Sequence, residues 1–446
     1  MQVRSRNQAS PDIADFYNIK VKSIWRGFRQ EHYSFWAICV YFMFEYVRPQ
    51  SIYPSIDIIP WAQIALLVSV VAVFLDKSTK WVDSPENKYL FLFVLVVVLS
   101  GIFAFRPSAS WADKDLLINW VLVYFLVINI VNTEKRLFIF VLLYLLFSFK
   151  MAQHGFFSWA SRGFEFASWG LAGPSGWFNN SGEYAIQMLI FSFLSMSFVI
   201  ALRSQWSRLK KLFFYFMPVT GVFAVIGSSS RGAQLALAVI GVVLLFKRKG
   251  GFKSLLILVA AAVALFYLLP DEQLLRFQEM GSDKTSLQRL SYWKFGLQVM
   301  NDNPLLGIGY GNWLDYFLFE KPEGLRGGIS LPHNIFIQAG SELGYAGLLC
   351  FVIMVSYVFI LNARTRTMVR ETDNRFLFYL SYGMDAGLLG YIVAGFFVTV
   401  LYYPFFWVQM AMTVALYNIA KDFNHAREHS IRPEADNIVK ARAATQ

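Results

Sequence analysis

One histidine at the start of a long apolar segment is the side chain best suited to acid–base chemistry. His333 lies in "SLPHNIFIQAGSELGYAGLL" and is one of only five histidines in 446 residues. Imidazole has an unperturbed pKa of about 6.5 and accepts a proton readily at neutral pH. The alternative is structural, since Pro332 suits a helix start and Asn334 can cap it. Glu342 is half a helical turn out of phase with His333, so an orienting group must come from another segment.

Basic side chains accompany this histidine. Arg231 lies in "GSSSRGAQLAL", a polar island between two apolar runs, where a charge marks either function or a paired partner. The alternative is an arginine that snorkels to lipid phosphates. Arg289 lies in "TSLQRLSYWKFGLQVMNDNP", where function and a surface ion pair are both open. Arg276 and Lys294 are further candidates in the same region.

Arginines beside a possible general base describe a site for an anionic, phosphate-bearing substrate. Guanidinium groups match phosphate oxygens bidentately. No Asp, Glu or His set on this side has metal-ligand spacing, and Cys39 and Cys350 lie inside apolar runs. We therefore expect no metal and no cofactor. Whether the ligand reacts or is only transported stays open on chemical grounds.

The elements that hold these residues are membrane helices. The chain is 56% hydrophobic and 15% charged, and its apolar runs are long enough to cross a hydrocarbon layer of roughly 30 Å. We predict an all-α integral membrane protein with about twelve spans: Tyr33–Val47, Ile58–Leu75, Tyr89–Phe105, Leu116–Val131, Leu137–Phe149, Tyr184–Leu202, Leu212–Gly227, Gly232–Phe246, Phe252–Leu269, Asn334–Leu361, Phe376–Val400 and Tyr403–Ala420.

The distribution of positive charge predicts how the spans are oriented across the membrane, because Lys and Arg in short loops stay in the cytoplasm. With a cytoplasmic N-terminus, most of the 40 Lys and Arg residues lie inside. The net charge of +11 then reflects this bias and contact with membrane lipids, and nucleic acid is not an expected partner. We predict five parts along the chain: a cytoplasmic N-terminal segment with an interfacial helix (1–32), nine spans (33–269), a periplasmic catalytic loop (270–332), three spans (333–420) and a cytoplasmic tail (421–446).

Two long segments lie on the outer side, Lys150 to Glu183 and about Pro270 to Pro332. In the second, Leu290, Trp293, Leu297 and Met300 recur at helical spacing before Asn303-Pro304, which predicts an amphipathic loop helix. In the first, "FFSWASRGFEFASWGLAGPSGWF" is equally consistent with stacking surfaces for sugars and with an interfacial aromatic belt.

The order "SSSRGAQLAL", "QRLSYW", "NPLLGIGYGNW" and "PHNIFIQAGSELGYAGLL" resembles the O-antigen ligase and polymerase superfamily of bacterial membrane glycosyltransferases. "GWFNNSGEYA" is similar to a segment before a middle membrane helix in that family, and "FEYVRPQSIYPSIDIIPWAQI" also resembles ligase relatives. The resemblance implies catalytic roles for His333, Arg231 and Arg289. Substrate binding is expected at both arginines, Arg276 and Asn334.

The resemblance implies transfer of a glycan from undecaprenyl diphosphate to a sugar hydroxyl of lipid A core, in lipopolysaccharide biosynthesis. The enzyme would lie in the bacterial inner membrane with its active site facing the periplasm. Other acceptors would make it an O-antigen polymerase or a protein O-oligosaccharyltransferase. A flippase for lipid-linked glycans is a different class, which should carry a charged path through the bundle. Few acids lie in the apolar runs, Glu342 and Asp385 being the main ones, and this favours an enzyme.

Overall fold

A computed structural model describes residues 11–166, 170–246, 283–320, 328–372 and 374–443. Regular secondary structure in these ranges is helical, with no strand. Short 3-10 turns cover Pro54–Ile56 and Arg203–Gln205. The α-helices of the described ranges are α1 (Ile13–Tyr17), α2 (Val21–Gln30), α3 (Tyr33–Tyr46), α4 (Pro49–Ile52), α5 (Trp61–Leu75), α6 (Pro85–Ile102), α7 (Pro107–Ala112), α8 (Lys114–Ile130), α9 (Glu134–Ser161), α10 (Ser181–Leu202), α11 (Arg208–Gly227), α12 (Arg231–Phe246), α13 (Lys284–Asp302), α14 (Trp313–Glu320), α15 (Ile335–Val369), α16 (Arg375–Gly395) and α17 (Pro404–Ala443).

Six of these helices, α6, α9, α10, α11, α15 and α16, are long and apolar enough to cross a membrane. Helices α5 and α12 are apolar but shorter. The chain is therefore a helical, multi-pass membrane protein. Eleven of the twelve predicted spans coincide with a helix, whereas Phe252–Leu269 lies outside the described residues. The number twelve and the periplasmic loop stay predictions.

Several boundaries differ from those read in the sequence. Helix α9 continues to Ser161, so the outer segment expected from Lys150 begins as helix. Helix α17 continues through the predicted polar tail. The expected N-terminal helix is two short helices, because Ile19 adopts a left-handed conformation with φ of 51°. Phe16 of the first is fully buried, with its ring 5.8 Å from that of Phe138, so its apolar face packs on protein.

The loop helix α13 is present and ends where predicted, but its buried face is rotated. Leu290 and Leu297 are about half exposed. The buried positions are Tyr292, Phe295, Gly296, Val299 and Met300. They pack into a separate apolar cluster with Trp313, Phe317 and Ile337. Of the four predicted residues, Met300 is therefore buried and Trp293 packs against the same cluster. The aromatic partners on α14 determine which side of the helix is covered, and helical spacing alone does not specify them.

Helix α15 is broken in its third turn by the segment that follows α13. Gly344 has φ of 67° and ψ of −174°, and a Cβ there would overlap the carbonyl group of Leu305. The amide of Tyr345 donates to the Pro304 carbonyl at 2.8 Å, and that of Ile308 donates to the Ser341 carbonyl at 2.9 Å. The turn-rich segment 303–312 therefore supplies hydrogen bonds at the break and attaches α13 to the start of α15.

Candidate active site

Arg231 begins α12 after a three-residue polar turn. Ser229 in that turn has φ of 57°, an uncommon conformation for a residue with a Cβ. The guanidinium of Arg231 donates bidentately to Asp283, at 3.0 Å from Nη1 and 3.2 Å from Nη2. Only 20% of the Arg231 side chain is exposed. Arg231 is therefore paired with a carboxylate of the protein. The sequence had left open whether this arginine has a function or such a partner.

Asp283 connects α12 to α13. Its Oδ1 accepts from the amides of Thr285 and Ser286 at 3.1 Å each, which caps α13, and its Oδ2 accepts from the Ser286 hydroxyl at 2.5 Å. The hydrogen bond from Arg231 holds the pKa of Asp283 well below its usual range. Sequence reasoning missed this residue, although an Asp placed before "KTSLQRL" is an ordinary capping signal.

Arg289 lies six residues further along α13 and is half-buried. Its Nε is buried with no hydrogen-bond partner among the described residues. Burial lowers the pKa of Arg289, and the positive charge of Arg231 lowers it further. The side chain stays protonated at neutral pH, because an arginine pKa starts above 12. The Arg289 guanidinium therefore has an N–H donor without a hydrogen bond, and it lies in the same region as Arg231.

His333 is held from two sides just before α15. Its φ of 48° is left-handed, and its amide donates to the Thr399 hydroxyl at 2.8 Å. Its ring Nε2 lies 3.1 Å from the Ser330 hydroxyl. Glu342 accepts from the Tyr402 hydroxyl at 3.0 Å and is not among the hydrogen-bond partners of His333, so it does not orient the ring. Ser330 and Thr399 are the orienting groups that the sequence could not identify.

The His333 ring is neutral at neutral pH. Burial lowers its pKa to about 4, and the positive charge of Arg289 contributes to the same effect. A neutral imidazole keeps one nitrogen lone pair available to accept a proton. The environment therefore preserves the form of the histidine that a general base requires.

A cavity of about 530 Å³ brings the three predicted side chains together. Arg231, Arg289 and His333 come from three separate parts of the chain. The wall also contains main-chain and hydroxyl groups from the starts of α10 and α12 and from the connection before α17. The lining residues are Asn180, Ser181, Gly182, Ser229, Ser230, Arg231, Gly232, Asp283, Lys284, Thr285, Arg289, His333, Phe397 and Val398.

Helix starts dominate this wall. Helices α10, α12 and α13 all begin in it, and α15 begins two residues after His333. The N-terminus of a helix carries unpaired amides and a partial positive charge, which favour a bound anion. Asp283 caps the first amides of α13 and Asn334 caps those of α15, so the anion-binding character of the cavity rests on the two arginines and on the partial positive charge of the nearby helix ends. The segment "GWFNNSGEYA" enters the site through Asn180 and Gly182.

The remaining predicted residues are placed differently. Asn334 is buried, and its Oδ1 accepts from the amides of Phe336 and Ile337, so its capping role is confirmed. It does not line the cavity, and its predicted contact with substrate stays a prediction. Arg276 lies outside the described residues, and Lys294 is exposed away from the cavity. No group of three His, Cys, Asp or Glu side chains in the described ranges could hold a metal ion.

Comparison with known proteins identifies the part of the chain that contributes most of the cavity lining. Residues 214–352 match the family model described as O-antigen ligase. The matched range contains Arg231, Asp283, Arg289 and His333. No curated protein matches the chain. The resemblance read from the motifs is thus confirmed for residues 214–352, which are similar to the O-antigen ligase family.

Proposed function

We propose that the protein is an O-antigen ligase of the bacterial inner membrane. It would transfer a glycan from undecaprenyl diphosphate to a sugar hydroxyl of lipid A core, in lipopolysaccharide biosynthesis. The cavity would open to the periplasm, opposite the basic loops. The observation that carries this proposal is the meeting of Arg231, Arg289 and a neutral His333 in one cavity at four helix starts.

The donor diphosphate would bind between the two guanidinium groups. Arg289 has an unpartnered Nε, and Arg231 would share its charge between Asp283 and a phosphate oxygen. As the bond from the anomeric carbon to the diphosphate oxygen breaks, negative charge develops on that oxygen. Donors already fixed at this position stabilise that charge without reorganisation.

The polyprenyl chain of the donor would lie against the apolar outer surface of α12. Leu235, Val242 and Leu244 of this helix are 47%, 40% and 37% exposed. On a helix of a membrane protein, such residues face lipid. A lipid-linked donor could therefore present its diphosphate at Arg231, the first residue of α12, while its chain stays in the bilayer.

His333 would act as the general base. The acceptor O–H gives its proton to the ring nitrogen, the acceptor oxygen bonds to the anomeric carbon, and undecaprenyl diphosphate leaves from the opposite face with inversion. A ring with a pKa of about 4 is a weak base in the empty site. Because Arg289 contributes to that low value, a bound diphosphate raises the pKa of His333 by neutralising Arg289.

Purified protein in liposomes tests the proposal, with lipid-linked glycan, lipid A core and EDTA. We expect transfer by the wild type and by His154→Ala, an exposed histidine outside the cavity, and none by His333→Ala. Near wild-type transfer by His333→Ala would show that the base is misassigned. If no protein glycosylates core lipid, the same preparations are offered lipid-linked repeats and then peptides, which test the polymerase and the O-oligosaccharyltransferase.

A flippase would instead move the lipid-linked glycan without an acceptor. The two acids singled out in the sequence are engaged locally: Asp385 pairs with Arg366 at 2.7 Å, and Glu342 accepts from Tyr402. The ligase proposal predicts no acceptor-independent movement of donor across the liposome membrane. Such movement, retained in His333→Ala, would favour the flippase.

A further inference from the structure

A second polar and aromatic cluster lies beside the cavity, at the end of the bundle where α10 and α17 begin. We define it as the Trp177 cluster, formed by Glu45, Arg48, Gln50, Trp177 and Tyr403. We propose that this cluster is a subsite for a sugar ring of the glycan acceptor. The assignment to the acceptor rests on the proposed function.

Arg48 is held in an uncommon backbone conformation, with φ of 51° and ψ of 58°, between α3 and α4. Its guanidinium lies directly on the backbone of Gly176, where a Cβ would overlap it, and Gly176 itself has φ of 94°. The hydroxyls of Ser51 and Ser175 are 2.9 Å apart and connect the same two segments. Strained conformations of this kind persist where the surroundings fix them, and they concentrate at ligand sites.

Trp177 and Tyr403 provide a partly exposed aromatic corner. Both residues are half-buried, and their ring centroids are 5.1 Å apart at an interplanar angle of 70°. Trp120, which is almost fully buried, supports the indole of Trp177 from behind at 5.6 Å. The indole N–H donates to the Glu45 carboxylate at 2.7 Å. An aromatic belt residue presents its polar edge to lipid headgroups, whereas this edge is bound to a protein carboxylate.

Polar atoms in the cluster lack partners. Arg48 Nε and Gln50 Oε1 are both buried without a hydrogen bond among the described residues. A buried donor and a buried acceptor left unpaired cost free energy, which a ligand that both donates and accepts would recover. Sugar hydroxyls do both, and the apolar face of a sugar ring matches an aromatic surface. Trp159 of the same outer segment does not offer such a surface, because it is buried.

Two short segments connect the cluster to the cavity. Trp177 precedes Asn180, which lines the cavity, by three residues, so their Cα atoms are at most about 11 Å apart. Tyr403 follows Thr399 by four residues, and the Thr399 hydroxyl accepts from the His333 amide. The cluster therefore adjoins the wall that holds the general base.

This adjacency assigns the ring to the acceptor. In the proposed reaction the donor is anchored by its diphosphate at Arg231 and Arg289, whereas the acceptor hydroxyl must point at His333. A sugar chain that approaches His333 along the segment from Thr399 to Tyr403 would contact the Trp177 cluster on the way. The cluster would supply binding energy away from the reacting atoms and thereby hold the hydroxyl in position.

The test separates acceptor from donor in the liposome assay. The variants are Trp177→Leu, Arg48→Gln and the milder Gln50→Ala, with Trp81→Leu as control, because Trp81 is 65% exposed and packs on Phe74. We expect the KM for lipid A core to rise about tenfold in Trp177→Leu, as for loss of an aromatic anchor. The KM for the lipid-linked donor should stay within about twofold, and the control should match the wild type.

A binding measurement tests the subsite without requiring turnover. Core oligosaccharide freed from lipid A is titrated into His333→Ala protein in nanodiscs, with and without Trp177→Leu, and intrinsic fluorescence or calorimetry reports binding. Loss of binding with Trp177→Leu supports the subsite even if the wild type transfers nothing, in which case only the proposed function fails. A raised donor KM with an unchanged acceptor KM overturns the acceptor assignment. Unchanged binding and unchanged KM values in Gln50→Ala and Trp177→Leu overturn the subsite.

Discussion

The protonation of His333 gives the sharpest test of the site. A pKa of about 4 instead of the ordinary 6.5 disfavours the charged ring by roughly 3 kcal/mol relative to water, at about 1.36 kcal/mol per pKa unit. At pH 7 only about one ring in a thousand is then charged. Because the pKa is lowered, the base stays active as the pH falls below 6.5 and is lost only near pH 4. We expect kcat/KM for transfer to change little between pH 5.5 and 7.5.

Bound donor should move the pH at which activity is lost to a higher value. Since kcat/KM reports the free enzyme and kcat the enzyme with substrate, the acid limb of kcat should lie at higher pH than that of kcat/KM. The reason is electrostatic: Arg289 is the charged group that lowers the pKa of His333, and a diphosphate neutralises it. Neutral Arg289→Gln should likewise raise the pKa of His333 in the empty site.

Both expectations can be checked without turnover. Ring-labelled histidine in nanodisc-embedded protein gives one NMR signal for each of the five histidines, and the signal absent from His333→Gln identifies His333. Titration of that signal near pH 6.5 in the wild type would refute the argument from burial. No upward shift in Arg289→Gln would refute the electrostatic part alone.

Other substitutions test the arginines and the loop that carries one of them. Arg231→Gln or Arg289→Gln should lower transfer about a hundredfold, by analogy with lost oxyanion donors, whereas exposed Lys294→Gln should not; transfer rates in liposomes decide this. Gly344→Ala should lower the midpoint of thermal unfolding, because φ is 67° and a Cβ meets backbone, whereas Gly328→Ala, with open space around it, should leave the midpoint unchanged.

Much of the architecture follows from local sequence. Hydropathy alone locates eleven of the predicted spans on helices, because a bilayer requires long apolar runs with satisfied backbone hydrogen bonds. The stop of α13 at Asp302 follows from Asn303-Pro304. Arg231, Arg289 and His333 could each be identified from the sequence, because a charged or titratable side chain lies next to apolar segments. The order of the motifs then related the three residues to one another.

What the sequence could not supply depends on contacts distant in the chain. The rotation of α13 depends on aromatic side chains of α14, and the break at Gly344 depends on Leu305 occupying the space beside it. The extension of α9 past Phe149 has no local stop signal, since its polar residues are compatible with a helix that rises above the apolar layer. Thr399, which holds the His333 backbone, is 66 residues away. Periodicity carries no information on such pairs.

The role of Asp283 follows from the charges around it. The positive charge of Arg231 lowers the pKa of Arg289, and both side chains are partly removed from water. Asp283 offsets one of these two charges in the empty site while it also caps the helix that carries the other. The two arginines and Asp283 together keep one net positive charge, and Lys284 on the cavity wall adds a second, so the cavity can attract a diphosphate without the cost of two unpaired guanidinium groups. In the proposed complex Arg231 shares its charge between Asp283 and a phosphate oxygen, so its contribution to donor affinity should be smaller than that of a guanidinium group without a carboxylate partner.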